Sequence, residues 1–171
     1  MRFTSSFPSG RESWSTTCIL KKYCEFICSI DDHRRLVFAD EKPMKEKDIF
    51  RLIRKNPMNG VTPNHRMKAN SKNRYSILCA VTLKTGVNSV ESVVLQECTD
   101  SCIFFEFVLL LLRKGTLIPG DIFIVDNCSV HMKGDNIGLQ EALFKKHNVL
   151  MVTLPPYHPD FNPTELVLNI L

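Results

Sequence analysis

Asp121–Asn127 reads DIFIVDN: four apolar residues entered through the turn Pro119-Gly120 and closed by the carboxylate of Asp126. A short apolar run bounded by turn residues is the pattern of a buried β-strand. Leu36–Asp40 (LVFAD) repeats it, entered through the polar turn DDHRR and again ending in a carboxylate, Asp40. If the two strands are parallel neighbours, both carboxylates emerge at one edge of the sheet, where open α/β sheets place their ligands. Each aspartate also has a plainer reading as a turn-starting residue.

Between and beyond these two runs, Arg74–Leu83 (RYSILCAVTL) and Ser89–Glu97 (SVESVVLQE) read as strands joined by the turn KTGVN, an antiparallel hairpin. Ser101–Lys114 (SCIFFEFVLLLLRK) is too long for one strand. With Asp100 or Ser101 to cap it and Gly115 to end it, it reads as a helix, and its nearly all-round apolarity predicts burial. Asp135–His147 reads as helix and Val149–Leu154 as the last strand. Near the N-terminus, Ile19, Tyr23, Phe26, Ile27 and Ile30 recur at helical spacing within residues 14–30. The order is three strands, then helix, strand, helix, strand, helix. It describes an α/β protein with a mixed five-stranded sheet, three antiparallel strands followed by two parallel ones, flanked by helices. That is the order of the ribonuclease H-like plan.

The proline-rich run LPPYHPDFNP, Leu154–Pro163, has little backbone freedom and should deliver the C-terminal segment to a fixed place. That segment reads as a helix with Asn162 as N-cap, Pro163 at its first position and Glu165 at its third. Glu165 can therefore join Asp40 and Asp126, or it can close a capping box with Asn162. His131, Tyr157 and His158 read as loop residues, with His131 also placed to assist phosphate binding or to orient Asp126.

At 171 residues and 44% hydrophobic, the chain suits one globular domain with tails. The net charge is only +4, but Lys42–Arg74 holds ten Lys and Arg against Glu46 and Asp48, leaving the rest of the chain acidic. Such a block is either solvated loop or the footprint of a polyanion, with Lys42, Arg51, Arg54, Lys55, Arg66, Lys68, Lys72 and Arg74 as its phosphate contacts. Within it NPMNGVTPN is turn chemistry, preceded by a short helix EKDIFRLIRK.

Seven cysteines, an odd number, read as reduced thiols. Cys128 and His131 have a zinc-like spacing, but no second such pair completes a tetrahedron. No secretory signal opens the chain, and the run Ile103–Leu112 falls short of the roughly 20 residues a membrane span needs. The expectation is a soluble intracellular protein, with no membrane partner. No G-x-x-x-x-G-K phosphate loop is present.

Three converging carboxylates repel one another unless a cation neutralises them, and their hard oxygens suit magnesium or manganese. Two such ions about 4 Å apart can activate a nucleophile and stabilise the leaving oxygen in an in-line attack on a phosphodiester.

The strings LVFADE, IFIVDNCSVH and LPPYHPDFNPTE, in this order, resemble the three catalytic motifs of mariner-type transposases, within the DDE transposases and retroviral-type integrases. The third is the most specific, matching every fixed position of a Leu-Pro-Pro-Tyr-x-Pro-Asp-x-Asn-Pro-x-Glu pattern from Leu154 to Glu165. The resemblance implies that Asp40, Asp126 and Glu165 are catalytic and hold two Mg2+ or Mn2+ ions. Asn127 and His131 match the second motif as supporting residues. It further implies cleavage of DNA at transposon ends and strand transfer into target DNA, with DNA as partner, a homodimer as an option, and a nuclear location in a eukaryote or a cytoplasmic one otherwise. The expected division is a helical extension, residues 1–33, without a complete helix-turn-helix, and a catalytic core, residues 34–171, shortened at its C-terminus. Lys42 departs from the family, many of whose members place a small polar residue there; its charge can pair with Glu41 or touch DNA. A catalytically inactive, transposase-derived nucleic-acid-binding protein is the alternative.

Overall fold

In a computed structural model the described residues are 16–45, 74–96, 98–126 and 137–170. The short helix expected in the basic block, the Cys128/His131 pair and Asn127 lie outside them. The chain divides into two compact units, residues 1–31 and 32–171. The described residues of the first include helix α1 (Thr16–Cys28), on which Lys21 and Glu25 form an exposed i,i+4 pair at 3.9 Å.

The second unit is built on one five-stranded sheet. Its strands are β1 (Leu36–Lys45), β2 (Arg74–Thr82), β3 (Val90–Leu95), β4 (Ile122–Val125) and β5 (Leu150–Thr153), in the order β3-β2-β1-β4-β5. β1, β2 and β3 are antiparallel neighbours, and β4 and β5 run parallel to β1. Its helices among the described residues are α2 (Ser101–Lys114), α3 (Ile137–Lys146) and α4 (Thr164–Ile170). The expected mixed sheet is the one found.

β1 differs from expectation in length. It continues five residues past Asp40, because β2 runs alongside it from Val37↔Thr82 to Lys45↔Arg74. Among the described residues β4 pairs with β1 only as far as Ala39↔Val125, and Pro43, on the extension, lies opposite Ser76 of β2. Asp40 thus lies mid-strand, while Asp126 directly follows its strand.

Alternation along the strands sorts the core. Val37, Ala39, Leu78, Ala80, Phe123 and Val125 share one face with Phe104, Phe107, Val108 and Leu111 of α2 and Phe144 of α3. The ring of Phe123 lies between Phe104 and Phe144, with centroid distances of 6.3 and 5.7 Å. Each such buried Phe or Leu contributes about 1.5–3 kcal/mol. α2 keeps its expected limits, with the Asp100 carboxylate accepting from the Ile103 N–H at 2.9 Å and Gly115 turning left-handed at φ 72°. On the other face Leu168 of α4 packs with Met44, Ile77 and Cys79.

The ends of the strands opposite the aspartates are tied together. Gly120, at φ 92°, directs its carbonyl to the Arg35 guanidinium (Nε 2.7 Å), and its N–H donates to the Asn148 carbonyl at 2.8 Å. β1, β4 and β5 therefore enter the sheet level with one another.

Candidate active site

Residue 39 lies opposite residue 125 in the parallel β1–β4 ladder, so Asp40 and Asp126 are the next residues on adjacent chains. Neighbouring strands stand about 4.8 Å apart, and by the period of two Asp40 follows the face of Phe38, away from the α2 side, while Asp126 is the first residue after β4. Asp40 is buried, at 8% exposure, and Asp126 is half-buried.

The proline run leaves the sheet beside Asp126, since the Leu154 N–H donates to the Val125 carbonyl at 2.8 Å. It passes through a 3-10 turn, Pro159–Phe161, in which the His158 and Phe161 rings lie 5.8 Å apart. Tyr157 stands 93% exposed at φ 63°. The run then docks onto Asp40: Asn162 Nδ2 donates to Asp40 Oδ2 at 2.9 Å, and Thr164 Oγ1 lies 3.4 Å from the same oxygen. Asp40 Oδ1 accepts from the Glu41 N–H at 2.8 Å. Asn162 is the expected N-cap, its Oδ1 accepting from the Thr164 N–H at 3.3 Å. Its own N–H donates to the Pro159 carbonyl at 2.8 Å, so Glu165 has no capping box to close. Glu165 stays half-buried beside Thr164 at the start of α4.

Lys42, two residues from Asp40 on the same face of β1, reaches the far end of α4. Its ammonium donates to the Leu168 carbonyl at 2.5 Å and to Asn169 Oδ1 at 3.2 Å. α4 is thus held on β1 at both ends by polar bonds, with Leu168 buried between them. Arg74 starts β2 and is exposed. Arg51, Arg54, Lys55, Arg66, Lys68, Lys72 and His131 lie outside the described residues.

Across the β1–β2 ladder from Asp40 sits Cys79, whose thiol pKa is pushed up to about 11, first by burial and then by the negative charge of Asp40. The described cysteines are free thiols.

The two aspartates suit a hard divalent cation by donor type and by adjacency, and the Asn162 amide, with the Thr164 hydroxyl on its oxygen, holds Asp40 through a neutral group. Among the described residues no three His, Cys, Asp or Glu side chains cluster as a metal site. The side chains that sequence reasoning missed are Asn162 and Thr164 as partners of Asp40. The signal was present, because an N-cap asparagine uses only its oxygen on the helix, and a buried amide nitrogen needs an acceptor.

A family model described as DDE superfamily endonuclease matches residues 35–171. The chain belongs to this DDE superfamily endonuclease family. Among solved structures, the crystal structure of the catalytic domain of Mos1 mariner transposase superposes with a TM-score of 0.54 at 14% identity, covering 90% of this chain and 64% of that one. The Mos1 strand transfer complex gives 0.53 at 18% identity, covering 90% and 44%. The Mos1 catalytic domain solved with raltegravir and Mn gives 0.53 at 12%, covering 90% and 64%. The fold of this DDE-family chain is therefore ribonuclease H-like, that of the Mos1 catalytic domain. It spans under half the length of the Mos1 chain in the strand transfer complex and just under two thirds of the isolated catalytic domain. No curated protein sequence matches it. Among the described residues, no helix is long and apolar enough to cross a membrane.

Proposed function

We propose that the chain is the catalytic domain of a mariner-type transposase, which cuts DNA phosphodiester bonds and transfers the strand, with Asp40, Asp126 and Glu165 as catalytic residues and metal ligands. The observation that carries this reading is the parallel register, which sets Asp40 beside Asp126 at one level of the sheet within a DDE-family fold. Two Mg2+ or Mn2+ ions bound there would supply Lewis-acid polarisation and an activated nucleophile. The protein's own part is to orient: the Glu41 N–H and the Asn162 amide aim the Asp40 carboxylate, and the β4–β5 ladder presents Asp126. Glu165, in the first turn of α4, would complete the group.

The basic block supplies phosphate contacts through Arg51, Arg54, Lys55, Arg66, Lys68, Lys72 and Arg74, with Asn127 and His131 as supporting residues. Lys42, engaged with α4, contributes less to DNA than its charge implies. A homodimer would bring two such sites to the two ends of one element, in the nucleus of a eukaryotic cell.

Supercoiled plasmid incubated with the protein and Mg2+ or Mn2+ tests the reading: wild type nicks the DNA, and Asp126→Asn and Asp40→Asn do not. Equal nicking by all three would reject it. A second reading, a catalytically silent DNA-binding relative, is favoured by the described residues holding no cluster of three His, Cys, Asp or Glu side chains. It predicts no nicking by any form but DNA affinity that falls steeply with salt.

A further inference from the structure

Asn162 makes two kinds of bond with one side chain. Its Oδ1 accepts from the Thr164 N–H at 3.3 Å and from the Thr164 hydroxyl at 2.5 Å, which caps α4. Its Nδ2 donates to Asp40 Oδ2 at 2.9 Å across 122 residues of sequence. The Thr164 hydroxyl has one hydrogen and lies nearer Asn162 than Asp40, so it is the amide that it orients. All three groups are buried, Asn162 at 4%, Thr164 at 0% and Asp40 at 8% exposure, where an amide cannot rotate without losing bonds.

We infer that Asn162 is a positioning residue: through Thr164 it locks its own amide, and through the amide it sets both the direction of the Asp40 carboxylate and the place where the Glu165-bearing helix begins. The inference rests on the metal-dependent reading above. The chemistry suits the task, because a neutral amide takes one lone pair of Asp40 and leaves the carboxylate charge in place for a cation, which a lysine in the same position would cancel. Groups that orient a metal ligand without touching the metal typically weaken metal affinity about 10–100-fold when removed.

Asn162→Ser tests this, since serine remains a good helix cap but is too short to reach Asp40. The measurement is Mn2+ affinity of the full chain, from the electron paramagnetic resonance signal of free Mn2+, beside a thermal melt. Asn162→Ser is expected to melt close to wild type and to bind Mn2+ roughly 10-fold or more weakly. Thr164→Val, which frees the amide to turn, should lower the affinity in the same direction, and Thr164→Ser, which restores the hydroxyl, should recover it. This pair also decides the matter if Asn162→Ser does not fold. Wild-type affinity that Asp40→Asn abolishes, but that Asn162→Ser or Thr164→Val leaves unchanged, would overturn this inference alone. A wild-type protein that binds no Mn2+ would overturn it together with the reading beneath it.

Discussion

Ala39 lies directly opposite Val125 in the parallel β1–β4 ladder, and neither side chain is exposed at all. The methyl of Ala39 faces the α2 side of the sheet, so close packing beneath these residues helps hold Asp40 and Asp126 level above them. Ala39→Leu forces extra volume into this layer and is expected to cost about 1–3 kcal/mol. Urea unfolding measures it, and a variant as stable as wild type would show that the layer is loosely packed.

Lys84 and Asp121 form an ion pair with side chains 11% and 2% exposed, and Lys84 also donates to the Thr116 carbonyl at 2.8 Å. The Asp121 carboxylate further accepts from the Ile118 N–H at 2.7 Å, bracing the turn that enters β4. Lys84→Met leaves a buried carboxylate uncompensated and is expected to destabilise by about 3–5 kcal/mol, whereas Lys84→Met with Asp121→Leu should recover a good part of that. Chemical denaturation of the three variants decides it. Single and double variants of equal stability would mean that the pair is not a coupled unit.

Gly115 ends α2 at φ 72° with open space where a Cβ would stand, so only backbone strain opposes a side chain there. Gly115→Ala should cost about 1 kcal/mol and Gly115→Asn less, since asparagine tolerates the left-handed region. Equal melting temperatures for alanine and glycine would contradict the assigned conformation.

Glu91 accepts from the Lys114 ammonium at 2.5 Å and from Asn88 Nδ2 at 3.0 Å. The Lys114 hydrogen bond, helped by Asn88 and the Lys114 charge and opposed by burial, holds its carboxyl below the ordinary value of 4.5. A folded pKa below the unfolded one contributes stability that is present above 4.5 and lost as the pH falls through the lowered value. The gap in melting temperature between wild type and Lys114→Met should therefore be full near pH 6 and shrink as the solution is acidified below 4.5. A gap that widens on acidification would reverse the sign and refute the pairing.

Much of the architecture was legible in the chain. LVFAD and DIFIVDN are short apolar runs bounded by turns, and Ser101–Lys114 carries its own cap and stop in Asp100 and Gly115. The order of elements then restricts how the sheet can be wound. The full length of β1 was hidden, because EKPMK has no strand pattern of its own and is extended only where β2 lies alongside it. For the candidate site, the sequence motifs name Asp40, Asp126 and Glu165, and the fold supplies the neighbouring places of the first two.

Amino-acid order alone thus set the elements, their succession and the family, since these depend on neighbours in the chain and on caps within a turn or two. It took the tertiary fold to bring the Asn162 amide to Asp40, to carry Lys42 to Leu168 rather than Glu41, and to set Asp40 level with Asp126. The first two contacts join residues more than a hundred positions apart. They form when the folded sheet brings a donor and an acceptor within about 3 Å, a coincidence that no local propensity encodes.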